Sequence, residues 1–300
     1  MQRYARPFQS VCAVFALAAS LLMAAEPATP VPASLEPLKA KIGPHYAFKG
    51  NVLSFRAEEP LTEEQWKAIE GLGIKLISTG GKGIDDAAIE RLAKLDPEGL
   101  TLDGSGITDE GCKHLAAMKS LRKLSVGHII KKEFTGVGLA ALKDLPKLET
   151  FSFGGSGTRE PAMNAIGEIT QLKEFSSWHT QNGDPLNPYL LKLTHLESLT
   201  IGNSLKRWDG KPRQLCLTDA SLPTLAQMTS LTSLTLMQAR LSYPALVQLK
   251  ALPNLKKLKL NDVDVPGEDI EKLRTELPGV TITGKALTDD ERKKLDEFLK

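Results

Sequence analysis

Few side chains in this sequence could do recognisable chemistry, and they cluster. Trp178 and His179 stand together in FSSWHTQNGDP (175–185), and His128 stands in GHIIKKEF (127–134). The stretch NSLKRWDGKPRQLC (203–216) carries Lys206, Arg207, Trp208, Lys211 and Arg213, and Arg159 lies between the two histidines in sequence. An open tryptophan covers a large area with few rotatable bonds, which is why indoles dominate binding hot spots. A basic loop holding a tryptophan could clamp an acidic or carbohydrate ligand by charge and stacking. The other reading of that loop is a solvated one, pinned by Trp208 packing on the rim. No Ser/His/Asp or Cys/His set stands in a recognisable context, and there is no HExxH or CxxC. The glycine-rich pieces GGKG (80–83), DGSG (103–106) and GGSG (154–157) lack the lysine-serine ending of a phosphate loop. The sequence therefore offers ligand-binding candidates but no catalytic residue, metal site or cofactor.

What positions those residues begins with the chain's bounds. The first ten residues, MQRYARPFQS, hold Arg3 and Arg6 and no acid, and Val11 to Ala25 is an apolar run ending in small residues. This is the pattern of a secretory signal peptide (1–25), too short for the ~20 residues that span a bilayer. Loss of Arg3 and Arg6 would turn a formal charge of +2 into a neutral balance. A neutral chain has no charge-driven claim on nucleic acid or anionic membrane. Residues 26–51 are proline-rich and read as a linker. The expected location is exported: periplasmic, cell-surface or secreted.

From residue 52 the sequence copies itself. LTLDGSGITDEGCKHLAAMKSLRK (100–123) aligns with LTLMQARLSYPALVQLKALPNLKK (234–257). Units start at Leu53, Ile77, Leu100, Leu124, Phe151, Phe175, Leu199, Leu234, Leu258 and Val280, with a common spacing near 24. An apolar residue two places after the start (Leu102, Val126, Phe153) gives a strand's period of two. Apolar residues twelve, fifteen and eighteen places on (Ile89, Leu92, Leu95) give the buried stripe of a short helix. One such unit cannot bury its own apolar face, so stacking must supply the core.

The Leu-x-x-Leu-x-Leu core appears as Leu121-x-x-Leu124-x-Val126 and Leu255-x-x-Leu258-x-Leu260, and residues 107–111 read Ile-Thr-Asp-Glu-Gly at the helix entry. This resembles the leucine-rich repeat family, in its ribonuclease-inhibitor-like and cysteine-containing subtypes and in exported bacterial proteins. The resemblance implies an α/β horseshoe of about ten strand-turn-helix units, with a parallel sheet on the concave face of a domain spanning 52–300. One departure is that Ser105, Ile129, Ser156, Thr180, Ser204, Ala239 and Val263 replace the family's usual ladder asparagine or cysteine.

In that architecture the residue after each unit start faces outward, a row of small hydroxyls from Ser54 to Thr281 broken by Lys259. Two places further on, Trp178 stands between Gly154 and Gly202. Its indole either stays open on the concave wall or folds over the rim onto 181–188. One place later, His128 and His179 share a rim position with Gly155 between them. Backbones roughly 10 Å apart on strand spacing are wide for two ligands of one zinc, so a polar rim is expected. The units from 124 and 199 carry three and eleven extra residues, so 124–233 is the irregular region. The functional expectation is a non-enzymatic module binding a protein, peptide or surface glycan there. The rival is a spacer or envelope scaffold with no specific ligand. Cys112 falls on the helix stripe and is expected to be a buried thiol; Cys216, four units away, is too far to pair with it, so two free thiols are expected.

Overall fold

The computed structural model describes residues 29–44, 50–156, 160–204 and 215–299. The candidates Arg159, Arg207, Trp208 and Arg213, and the segment read as a signal peptide, lie outside the described residues. The described residues form an eleven-stranded sheet whose strands lie side by side in chain order. They are β1 (Lys41–Pro44), β2 (Asn51–Arg56), β3 (Leu76–Gly81), β4 (Gly99–Ser105), β5 (Lys123–Gly127), β6 (Thr150–Ser156), β7 (Glu174–Thr180), β8 (Ser198–Gly202), β9 (Ser233–Arg240), β10 (Lys257–Asp264) and β11 (Thr281–Thr283). From β2 onward every neighbouring pair is parallel, with a helical or 3₁₀ segment returning the chain between strands. This is a leucine-rich-repeat solenoid of α/β class.

The register matches the repeat. Leu53 lies opposite Ile77, Leu124 opposite Phe151, Phe151 opposite Phe175, and Leu234 opposite Leu258. All of these side chains are buried, because equivalent positions of stacked units share one apolar interior. The last unit is a correction. Ile282, not Val280, lies opposite Leu258, so the last unit starts at Ile282 and the unit before it is 24 residues long. Val280 sits half-buried just before the strand, after the turn at Gly279.

The segment read as a linker also needs correction. Residues 33–38 form a 3₁₀ helix that buries Leu35, and β1 pairs antiparallel with β2 and buries Ile42. Its prolines do not prevent this. Pro44 ends an edge strand, where a missing N–H and a blunted edge are tolerated. At the other end the helix Asp289–Leu299 is pinned by Asp264, which accepts from Arg240 Nε and Arg292 Nε at 3.0 Å each.

Where the asparagine ladder is missing, an aspartate-threonine clamp joins successive units. Asp86 accepts from Thr108 N at 2.8 Å and Thr108 Oγ1 at 2.6 Å. Asp109 accepts from Thr135 N and Oγ1 at 3.0 and 2.7 Å, and from the N–H groups of Gly136 and Gly138 at 2.8 and 3.1 Å. Asp184 holds Thr218 in the same way, and Asp219 accepts from Ser242 N. Burial opposes ionisation of Asp109, but the bonds from Thr135, Gly138 and Gly136 outweigh it and hold the carboxyl below its ordinary range. The acids at these turns do more than complement helix dipoles. They accept from amides at the helix entry of the neighbouring unit.

Candidate functional site

The rim position that carries both histidines is a left-handed turn in unit after unit. Gly104, His128, Gly155, His179, Asn203, Gln238 and Asp262 have φ between 47° and 64°. Recurring glycine there is explained by this backbone, and Asn, Asp and His are the other residues that enter it most readily. An L-residue in this conformation costs ~1–2 kcal/mol. Two histidines are therefore held at turns that glycine would fill at less cost.

The glycines one position earlier make beds for long side chains of neighbouring strands. A Cβ on Gly154 would lie 2.4 Å from Trp178 Cδ2, and one on Gly127 would lie 3.4 Å from Trp178 Cη2. The indole thus lies across β6 toward β5, over both glycines, and its Nε1–H donates to Ser152 Oγ at 3.0 Å. It does not use the space at Gly202, and it does not fold onto 181–188. Trp178 remains half-buried rather than open. Arg56 lies down in the same manner over Gly80, donating from Nη1 to the Asp103 carbonyl at 3.3 Å.

His128 meets this indole from the rim. Its ring lies over Gly155, with centroids 5.3 Å from Trp178 at an interplanar angle of 66°. His179 lies 5.8 Å from His128 and 6.4 Å from Trp178, nearly parallel to the indole at 11°. The backbones are two strands apart, as expected, but the rings converge. His128 Nδ1 is 2.6 Å from Asp103 Oδ1, and the Asp103 side chain is 60% exposed. With that carboxylate accepting from Nδ1–H, neutral His128 is the tautomer whose Nε2 is an acceptor. Among the described residues, no group of three or more His, Cys, Asp or Glu is placed to hold a metal ion.

Four strands thus bring Asp103, His128, Ser152, Trp178 and His179 to one place on the concave face. Sequence reasoning singled out the tryptophan and both histidines but missed Asp103 and the tethering role of Ser152. The signal for Ser152 was its place in the hydroxyl row, one strand before the tryptophan. Asp103 stands in the same outward column as Trp178, and only the register shows that their side chains approach over Gly127.

The long insertion leaves and returns at the edge of this cluster. Cys216 N donates to Ser204 Oγ at 2.7 Å, closing the base of the loop, and Cys216 Sγ lies against Thr180 O at 3.4 Å. Asn187 Nδ2 donates to Ser221 Oγ at 2.7 Å on the same buried patch. The base therefore stands beside the residue that follows His179. The shorter insertion is anchored by Phe134, buried 6.4 Å from Phe153. Cys112 and Cys216 are buried and unbridged, and burial pushes both thiols up. They are unreactive core groups.

No helix among the described residues is long and apolar enough to cross a membrane. No protein-family model matches the chain, and no curated protein matches it. Among solved structures, internalin C2 from Listeria monocytogenes is similar at 20% identity over 73% of this chain and 84% of that one, with a TM-score of 0.44. An internalin F from the same organism is similar at 17% identity over 79% and 87% of the two chains, with a TM-score of 0.28. The Drosophila Toll–Spätzle complex is similar at 16% identity over 70% of this chain and 26% of that one, with a TM-score of 0.46. These likenesses add nothing about a ligand. The strand register carries the assignment: by fold the chain is a leucine-rich-repeat protein.

Proposed function

We propose that this chain is an exported, non-enzymatic recognition module, binding a protein, peptide or glycan through the concave face and strand-end rim of units 124–233. In this reading residues 1–25 are a signal peptide, 52–300 are the repeat domain with 33–44 as its cap, and no cofactor takes part. The partner is neither nucleic acid nor membrane interior, and the mature chain works in the periplasm, at the cell surface or outside the cell. The observation that carries the reading is the gathering of Trp178, His128, His179 and Asp103 on one patch. Two of its histidines occupy backbone turns that favour glycine.

The test is retention of material from the source organism's envelope by immobilised residues 26–300. Trp178→Ala is expected to lose most of it, since removing a hot-spot anchor costs ~2 kcal/mol or more. Equal retention by both proteins would favour a spacer or scaffold whose concave face binds nothing. Export is checked separately by the mass of the protein recovered outside the cytoplasm, which should begin at Glu26.

A further inference from the structure

The concave face between β5 and β9 has a chemistry that narrows the partner. Three outward columns nearest the rim cross these five strands: the hydroxyl row from Ser125 to Thr235, the column from Gly127 to Met237 that holds Trp178, and the rim from His128 to Gln238; the charges of the face, Lys123 and Glu174, stand in the column before them at the strand starts. Not one residue of the three columns is an Asp, Glu, Lys or Arg. A charged ligand lying along them would lose hydration with no opposite charge to replace it. Serine is depleted in protein–protein interfaces, whose centres favour large apolar and aromatic anchors. Here serine, threonine and glycine make up nine of the fifteen residues, with Trp178 and Met237 as the two large apolar side chains. That combination suits a ligand that is uncharged, rich in hydroxyls and apolar on its ring faces.

We infer that this face binds a neutral glycan, with one sugar ring seated on Trp178 and the chain following the hydroxyl row across the strands. This rests on the recognition reading above and names the class of its ligand. The indole is suited to the role because its position is fixed. Glycine beds lie beneath it, Ser152 holds its Nε1–H, and His128 stands edge-on beside it. A platform ordered before binding loses little freedom when a ring settles on it. The row beside it places a hydroxyl on every strand at ~4.8 Å intervals, each able to donate, with Ser152 already accepting from the indole. Asp103, largely exposed at the β4 end, adds a charge-assisted acceptor for a sugar hydroxyl.

The test titrates residues 26–300 with neutral hexasaccharides of glucose, mannose and N-acetylglucosamine, reading tryptophan emission and calorimetry. A random peptide library is screened in parallel. At least one hexasaccharide should bind, with affinity nearly the same at ~0.05 and ~0.5 M salt because no ion pair forms. Trp178→Ala should weaken it by about tenfold or more. Thr200→Val, which keeps the shape and removes one hydroxyl of the row, should weaken it several-fold and so tests the face without touching the indole. If no hexasaccharide binds, or if binding ignores both substitutions, the glycan inference is wrong. Should library peptides instead bind in a Trp178-dependent way, the glycan inference falls while the recognition reading stands. If neither class binds through Trp178, both fall.

Discussion

The unit starting at Ile77 and the unit starting at Phe175 grip their successors with the same clamp, although different lengths of chain separate the partners. Asp86 takes Thr108 N and Oγ1 at 2.8 and 2.6 Å across 22 residues, and Asp184 takes Thr218 N and Oγ1 at 3.0 and 2.6 Å across 34. Twelve extra residues in the second case, eleven of them the insertion, leave the clamp unchanged, because the insertion departs and returns at the Ser204–Cys216 base. Coil geometry is therefore set by strand register and the clamp, not by repeat length. The loop between them is free to serve another purpose. Between the two clamped regions, the aspartate position is taken by Gly136 and Glu160 in the units carrying His128 and Gly154. There the described contact is Tyr189 Oη–H donating to Glu160 Oε1 at 2.6 Å, a tie on the outer side of the coil.

The largest effect should come from breaking the clamp. Asp109→Ala leaves the amides of Thr135, Gly136 and Gly138 without their acceptor and should cost ~2–4 kcal/mol in urea melts. A loss below ~0.5 kcal/mol would mean that register alone holds the coil. The same carboxylate predicts a pH signature. Its folded pKa is depressed, so the stabilisation is complete above the unfolded value near 3.8 and is lost as pH falls through the lower folded value. Melts between pH 5 and pH 2 should show the wild type losing stability below 3.8 more steeply than Asp109→Asn.

Trp178→Ala should fall between a surface and a core change, at ~1–2 kcal/mol, since the indole is half-buried and hydrogen-bonded but outside the apolar interior. Replacing 206–213 by two glycines should move the urea midpoint very little, within the ~0.5 kcal/mol typical of surface changes. A large loss would show that the insertion supports the coil after all. The smallest effect is at the rim. His179→Gly should be more stable than His179→Ala by ~1 kcal/mol, because φ is 52° there. Equal stability would mean that the turn relaxes when the imidazole is removed.

Most of the coil was legible in the sequence because each unit repeats a period of two and then a helical stripe at fixed offsets. The slip at the last unit has a simple cause. Val280 and Ile282 are both apolar and two apart, and a shift of two residues preserves the in-and-out alternation, so periodicity cannot choose between them. Pairing with Leu258 does. The cap at 33–44 escaped notice because prolines mark linkers and edge strands alike. Among site residues, Trp178 was legible as an outlier in a column of glycines. Its tilt over Gly154 and Gly127 was not, since nothing in sequence says which neighbouring bed a side chain will take. Glycines 81, 104 and 155 sit at a left-handed turn, and extending that turn to His128 and His179 required their φ angles.

On the proposed function, recognition resides in the cluster around Trp178 and not in the concave column as a whole. Trp178 and Arg56 provide a matched pair, each lying over a glycine bed in the same column, five strands apart in register. Retention of envelope material by immobilised residues 26–300 should drop about tenfold or more with Trp178→Ala. It should stay at the wild-type level with Arg56→Ala. Equal retention by all three proteins, or loss with Arg56→Ala alone, would overturn the proposed function.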